Sequence, residues 1–185
     1  MKAPADLVIR AADVADAQAI TEIYNEAIAT TTATFDTELK SVDDRRRWLE
    51  EHTGRHPVIV AMTQRNVVGY ASLTRWSDRC AYDGTAETSF YVRSSARNRG
   101  IGRALKLAII EEARRLGYHT LLARVAAESE VSAHLNRACG FELVGTMREV
   151  GYKFGRRLDV HLFQIMLRSA AAPTAVGACG ARTCS

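Results

Sequence analysis

A chain of 185 residues, 47% of them apolar, can bury a sizeable core and points to one domain. Its net charge of +4 comes from 25 basic residues that are arginine except for Lys2, Lys40, Lys106 and Lys153; in so alanine-rich a chain genome composition explains that bias, and no nucleic-acid partner is expected. The opening MKAPADLVIR has no apolar run of signal-peptide length, and no segment approaches the roughly 18 to 20 apolar residues of a membrane span. The expectation is therefore a soluble cytoplasmic protein with no membrane partner. Cys80, Cys139, Cys179 and Cys184 then read as reduced thiols, and since no Cys/His spacing matches a zinc site, no metal is expected.

LVIRAA reads as a short first strand. Asp13 then caps an amphipathic helix through AQAITEIYNEAI, with Ile20, Ile23, Tyr24, Ala27 and Ile28 on one face. A threonine-rich loop, ATTTATFDTE, leads to Ser41, which caps a second helix, VDDRRRWLEEH, whose aspartates sit in the first turn as the macrodipole prefers. Pro57 ends that region. PVIVAM and NVVGYASLTRW are apolar, β-branched runs joined by a short polar turn, the pattern of a hairpin. GTAETSFYVR is the next strand, with Glu87, Ser89 and Tyr91 on one side and Thr88, Phe90 and Val92 on the other. A long helix follows the loop SSARNRG, with Ile101, Leu105, Ala108, Ile109 and Leu116 at three- and four-residue steps and Gly117 closing it. HTLLARVA is a buried strand, EVSAHLNRAC a short helix ended by Gly140, and FELVGTMREVGYK with LDVHLFQIML the last strand pair. The order is βααβββαβαββ, without an internal repeat. Beyond Arg168 the chain turns to small residues, SAAAPTAVGACGARTCS, so a domain over 1–168 and a disordered tail over 169–185 are expected.

The loop before the long helix carries the chemistry. Glycines at a strand-to-helix turn let backbone N–H groups converge on an anion, the helix N-terminus adds a positive field, and Arg97, Arg99 and Arg103 supplement it. Phosphate is the natural guest. A nucleotide P-loop needs Lys-Ser/Thr where Arg103-Ala104 stands, and a dinucleotide fingerprint needs a third glycine where Leu105 stands. Solvated arginines on an ordinary tight turn are the plainer alternative.

Arg97-x-x-Gly100-x-Gly102 after a strand and before a long helix resembles the acetyl-CoA pyrophosphate loop of the GNAT superfamily of N-acetyltransferases. The resemblance covers residues 7 to 167 and is strongest to the phosphinothricin and methionine sulfoximine acetyltransferase group. It is carried by TTATFDTE, GYASLTRWSDRCAYDGTAETSFYV, RNRGIGRAL, ACGFELVGTM and VGYKFGRRLDV in that order. It implies an α/β fold (a mixed α+β sheet), the GNAT fold, in which a central splayed mixed β-sheet is flanked by helices.

By this resemblance the backbone of Phe90, Tyr91 and Val92 pairs with the pantetheine arm, and Arg97, Asn98, Arg99, Gly100, Ile101, Gly102 and Arg103 form the loop that holds the pyrophosphate. Ser129 stands where the group has an asparagine, and Asn136 where it has a His or Tyr often proposed as general acid; both remain on the cofactor side, and an amide cannot donate a catalytic proton. The implied substrate side is Phe35, Ser77, Asp78, Arg79, Glu87, Thr88 and Ser89. A free ammonium must lose a proton before it can attack a thioester, which makes Glu87 the expected catalytic base and the backbone near Val92 the expected oxyanion donor. Arg79, with Arg75, is expected to pair with the substrate's anionic group. Arg157 replaces a tryptophan usual in the group. The expectation is thus an acetyl-CoA-dependent, metal-free, homodimeric N-acetyltransferase acting on a small amino-acid-like amine. Another small amine, a protein amino terminus, or a CoA-binding sensor with little turnover are the alternatives.

Overall fold

The computed structural model describes residues 3–167. Eleven elements follow in the expected order: β1 (Val8–Ala11), α1 (Ala17–Thr30), α2 (Val42–Glu51), β2 (Val58–Thr63), β3 (Asn66–Arg75), β4 (Thr85–Val92), α3 (Ile101–Arg115), β5 (Thr120–Ala126), α4 (Glu130–Ala138), β6 (Glu142–Lys153) and β7 (Arg156–Met166). The strands form one sheet in the order β1-β2-β3-β4-β5-β7-β6. Every neighbouring pair is antiparallel except β4 and β5, which are parallel. The expected segment 169–185 lies outside the described residues.

Local signals account for the ends of the elements. Ser41 accepts from the Asp44 backbone while the Asp44 carboxylate accepts from the Ser41 N–H, a capping box that starts α2. Asp13 makes the same reciprocal arrangement with Asp16, but it caps a 3-10 turn, Val14–Asp16, that precedes α1. The reason is Asp16 itself: its carboxylate reaches back both to the Asp13 N–H and to the Arg10 guanidinium, at 2.7 and 2.8 Å, which tightens that first turn. The β2–β3 turn runs through Gln64 and Arg65 with φ of 48° and 65°, the left-handed pair that matches the twist of a tight hairpin.

The sheet separates two cores. Ile59, Leu73, Leu105, Ile109 and Phe163 pack on the α3 side; Ile20, Ile23, Leu49, Val60 and Tyr70 pack under α1 and α2. Strand alternation divides β4 between them, with Ala86 and Phe90 on the α3 side and Tyr91 on the other.

The parting of β4 from β5 positions the site. Their ladder covers only Thr85, Ala86 and Glu87, paired with Thr120, Leu121 and Leu122. Beyond Glu87, β4 stays with β3 through Val92 while β5 stays with β7 through Ala126, so the middle of the sheet opens into a slot.

Candidate active site

A cleft of about 650 Å³ occupies that slot, between Thr88–Val92, the N-terminus of α3, β5 and α4. Arg93 N–H donates to Val68 O at 2.9 Å. Because an antiparallel ladder alternates, this turns the backbone groups of Thr88, Phe90 and Val92 away from β3 and into the slot. Val92 O confirms that direction by accepting from Arg97 Nε at 3.1 Å. A bare strand edge inside a sheet is costly unless another chain of polar groups pairs with it.

The expected anion loop lies at one end of the slot. Asn98 and Gly100 take left-handed φ of 57° and 76°, folding the loop so that Gly100 becomes the N-cap of α3 without a side-chain cap. The first helical bond runs from Ala104 N–H to Gly100 O. The N–H groups of Ile101, Gly102 and Arg103 therefore precede the helical ladder and are open to an anion. Arg97, Asn98, Gly100, Ile101, Gly102 and Arg103 all border the cleft, while Arg99 does not. Space at Gly102 is limited: a Cβ there would stand 3.3 Å from Phe90 Cε2, a tight contact, and 3.5 Å from Leu135 Cδ2, an ordinary one, both in the cleft wall.

On the substrate side the structure rearranges the expectation. Thr88 and Ser89 border the cleft, but Glu87 does not. Its carboxylate is held by Arg124 of β5 through two bonds, Nε to Oε1 at 2.7 Å and Nη2 to Oε2 at 2.6 Å. That bond to Glu87 raises the Arg124 pKa against the opposing effect of burial. Arg124 itself borders the cleft, its side chain 55% exposed against 13% for Glu87. Arg79, Ser77 and Asp78 sit instead in an exposed loop after β3, where Arg79 N–H donates to Ser77 Oγ at 3.3 Å and Arg75 stands 3.7 Å from Asp78. The guanidinium at the slot comes from β5, and sequence reading passed over it because a lone arginine in a buried strand has no local mark.

Phe35 is also outside the cleft lining. Its ring packs against Gly151 of β6, where a Cβ would overlap it. Lys153, nearly buried, donates from Nζ to Thr31 O and Thr34 O, each at 2.8 Å. Thr32 Oγ1 donates to Glu128, which also pairs with Arg156. The end of the β6–β7 hairpin thus pins the threonine-rich loop so that Thr31, Thr32 and Ala33 form one wall of the cleft. The Tyr91 side chain is stacked on Tyr70, at 5.2 Å between centroids, with Tyr24 edge-on at 5.0 Å. Burial raises its phenol far above the usual range, so it is no base at neutral pH.

The far wall comes from α4 and α3. Ser129 borders the cleft and shares a hydroxyl bond with Ser132. Asn136, 1% exposed, spends its Nδ2 on Ser132 O at 2.9 Å. Lys106, passed over in the sequence as one more residue of an amphipathic helix, is 0% exposed and also borders the cleft.

Residues 9–162 match the family model of the acetyltransferase (GNAT) domain. The chain belongs to the GNAT acetyltransferase family. It is 38% identical over 170 residues to the L-methionine sulfoximine/L-methionine sulfone acetyltransferase of Salmonella typhimurium, covering 91% of this chain and 99% of that one. With the phosphinothricin N-acetyltransferase of Streptomyces coelicolor it shares 34% identity over 168 residues, 89% and 98% of the two chains. A Salmonella typhimurium acetyltransferase solved with its cofactor acetyl-CoA superposes with a TM-score of 0.88 at 38% identity, covering 92% of this GNAT chain and 99% of that one. The expected mixed sheet flanked by helices is the family's fold.

The residues of the slot fit acetyl-CoA. A pyrophosphate needs converging N–H groups and the α3 terminus offers them; an amide-bearing arm needs a strand edge, and Thr88, Phe90 and Val92 present one.

Proposed function

We propose that this GNAT protein transfers the acetyl group of acetyl-CoA to the amino group of a small amino-acid-like substrate of the phosphinothricin or methionine sulfoximine type. The observation that carries the reading is the bare β4 edge lying directly beside the uncapped α3 N-terminus in one cleft. Acetyl-CoA, when bound, supplies an acetyl group activated as a thioester. Ile101, Gly102 and Arg103 would hold its pyrophosphate through their N–H groups, with Asn98 and Gly100 shaping the turn. The edge of Phe90 to Val92 would align its arm, and Ser129 and Asn136 would border its other side.

Glu87 then removes the proton from the substrate ammonium, directly or through water, once its pair with Arg124 loosens. The Val92 N–H, which faces the slot, would be the donor to the thioester oxygen as it gains charge. Arg124, whose Nη1 is not engaged by Glu87, offers pairing to a substrate carboxylate or phosphinate. Arg79 and Arg75 remain the outer candidates for that role. Homology to enzymes whose names specify amino-acid analogues supports the substrate class.

The assembly we propose is a cytoplasmic homodimer built on the edge strand β6, with residues 1–168 as the catalytic domain. No described helix is long and apolar enough to cross a membrane. Thiol release from acetyl-CoA, screened across amino acids, their sulfoximine and phosphinate analogues, polyamines and peptides, tests the function. Turnover confined to amino-acid analogues is expected. Turnover only with peptides would move the substrate to a protein amino terminus, and CoA binding without turnover would favour a sensor.

A further inference from the structure

Three buried polar atoms have no hydrogen-bond partner among the described residues of this cleft: Thr88 Oγ1 on β4, Lys106 Nζ on α3 and Asn136 Oδ1 on α4. Leaving a buried polar group unpaired costs about 1–3 kcal/mol, more when it is charged. Three such groups converging from three elements mark a place built for a polar ligand.

Lys106 is the hardest of them to explain as packing. It follows Gly102 by one turn, so it shares the helix face that borders the cleft. A surface lysine carries its ammonium to water along its stem, but this one is sealed at 0% exposure. Its Nζ lies 4.0 Å from the centroid of the Phe141 ring and 5.8 Å from that of Phe90. Ring faces attract the cation without accepting its protons as an oxygen would. The charged and titratable groups acting on it are Cys139 after α4 and Glu87 on β4, and Arg103 on α3 acts in turn on Cys139. Glu87 is committed to Arg124, and burial pushes the Cys139 thiol up, so it is neutral at neutral pH. Burial likewise brings the Lys106 amine down to about 7, partly offset by Cys139 and Glu87, so both of its forms exist at neutral pH.

Resting on the acetyl-transfer reading above, we infer that Lys106 is the proton donor to the sulfur that leaves during acetyl transfer. Asn136 cannot fill that role, since an amide N–H does not release its proton near neutral pH and the amide oxygen only accepts. The substrate nitrogen bonds to the acetyl carbon, the C–S bond breaks and its electron pair goes to sulfur. Lys106 passes a proton from Nζ to that sulfur, leaving a thiol and a neutral amine. The substrate ammonium sheds two protons on becoming an amide, the first to Glu87 and the second to water. Lys106 takes one back from water and Glu87 gives its own up to water, so both groups are restored and one proton is released per turnover.

The test compares wild type with Lys106→Met, which keeps the length and removes the amine. Calorimetric titration with CoA establishes binding, and ultraviolet absorbance then follows the thiolate of the bound CoA as pH rises. In wild type that thiol ionises as an ion pair with Lys106, at a pH about one unit or more below its value in Lys106→Met. In steady state the variant loses on the order of tenfold to a hundredfold in kcat, with KM for acetyl-CoA little changed. Equal ionisation of bound CoA in the two proteins, or a raised KM at unchanged kcat, overturns the role of Lys106. Failure of both proteins to bind CoA overturns the acetyl-CoA reading itself.

Discussion

Glu87 and Asn136 show how far a single residue's role depends on what its side chain reaches. Glu87 combines the place of a base with a bidentate arginine partner. Glu87→Gln keeps the size and one acceptor but removes the charge that we propose takes the proton. Turnover should fall on the order of a hundredfold at neutral pH and recover in part at high pH, where more substrate amine is free. Asn136→Ala should cost much less. A pH–rate comparison checks both; Glu87→Gln turning over normally would place the base elsewhere. Lys106 makes a separate prediction about stability. Its folded-state pKa lies below its unfolded value, so the native protein holds the ammonium at a cost that is full below pH about 7 and fades as pH rises towards the unfolded value near 10.5. Lys106→Met should therefore melt higher than wild type, with the largest gain at pH 6 and a shrinking one towards pH 10. Scanning calorimetry across that range reads it. A gain that does not change with pH would mean that the buried amine keeps its proton throughout, as it does in the unfolded chain.

At the scale of elements, α3 is governed by what stands before and beside it. Gly100 can be the N-cap at a φ of 76° because it has no Cβ, and it leaves the helix N-terminus bare. Gly102 is helical, so its requirement is space. A valine there adds branches beyond a Cβ that already lies 3.3 Å from the Phe90 ring, pushing Phe90 or Leu135 into the slot. We predict that Gly102→Val keeps the fold and weakens CoA binding by tenfold or more, about 1.4 kcal/mol, while Arg97→Ala frees the end of β4 and weakens it less. Isothermal titration ranks the two; unchanged affinity in both would remove the loop from the cofactor site. The loop was legible in the sequence because phosphate binding at a helix start needs glycines at fixed offsets. Lys153, which ties the threonine-rich loop from 119 and 122 residues away, leaves no such trace.

Among the described residues the sheet ends in two edge strands, β1 and β6, and β6 is the longer and more apolar of them. β6 pairs only with β7, and Leu143, Val144, Val150, Tyr152 and the adjoining Phe154 are all exposed large apolar groups. Monomeric proteins rarely leave so apolar an edge strand open. A second copy laid along it would hide that row in an interface of the usual total area, about 1,200–2,000 Å². The double variant Val144→Glu, Val150→Glu should turn the proposed dimer into a monomer in light scattering after gel filtration, because each carboxylate would be desolvated in the interface. A wild-type monomer at micromolar concentration would exclude the dimer.

The sequence by itself determined the order of the elements, the cap of α2 at Ser41, the hairpin and the glycine turn before α3. These follow from periodicity, capping chemistry and glycine placement, which act over a few neighbouring residues. It also determined the family, since several short motifs keep their order along the chain. Only the tertiary structure decided that β4 leaves β5 after Glu87, that Arg124 meets Glu87 across 37 residues, that Phe35 lies on Gly151, and that Lys106 is sealed into the cleft. Each of those depends on which side chain crosses from one element to another. The pattern along a strand or helix states which face a residue takes, and the partner on that face is chosen by packing between segments far apart in the chain.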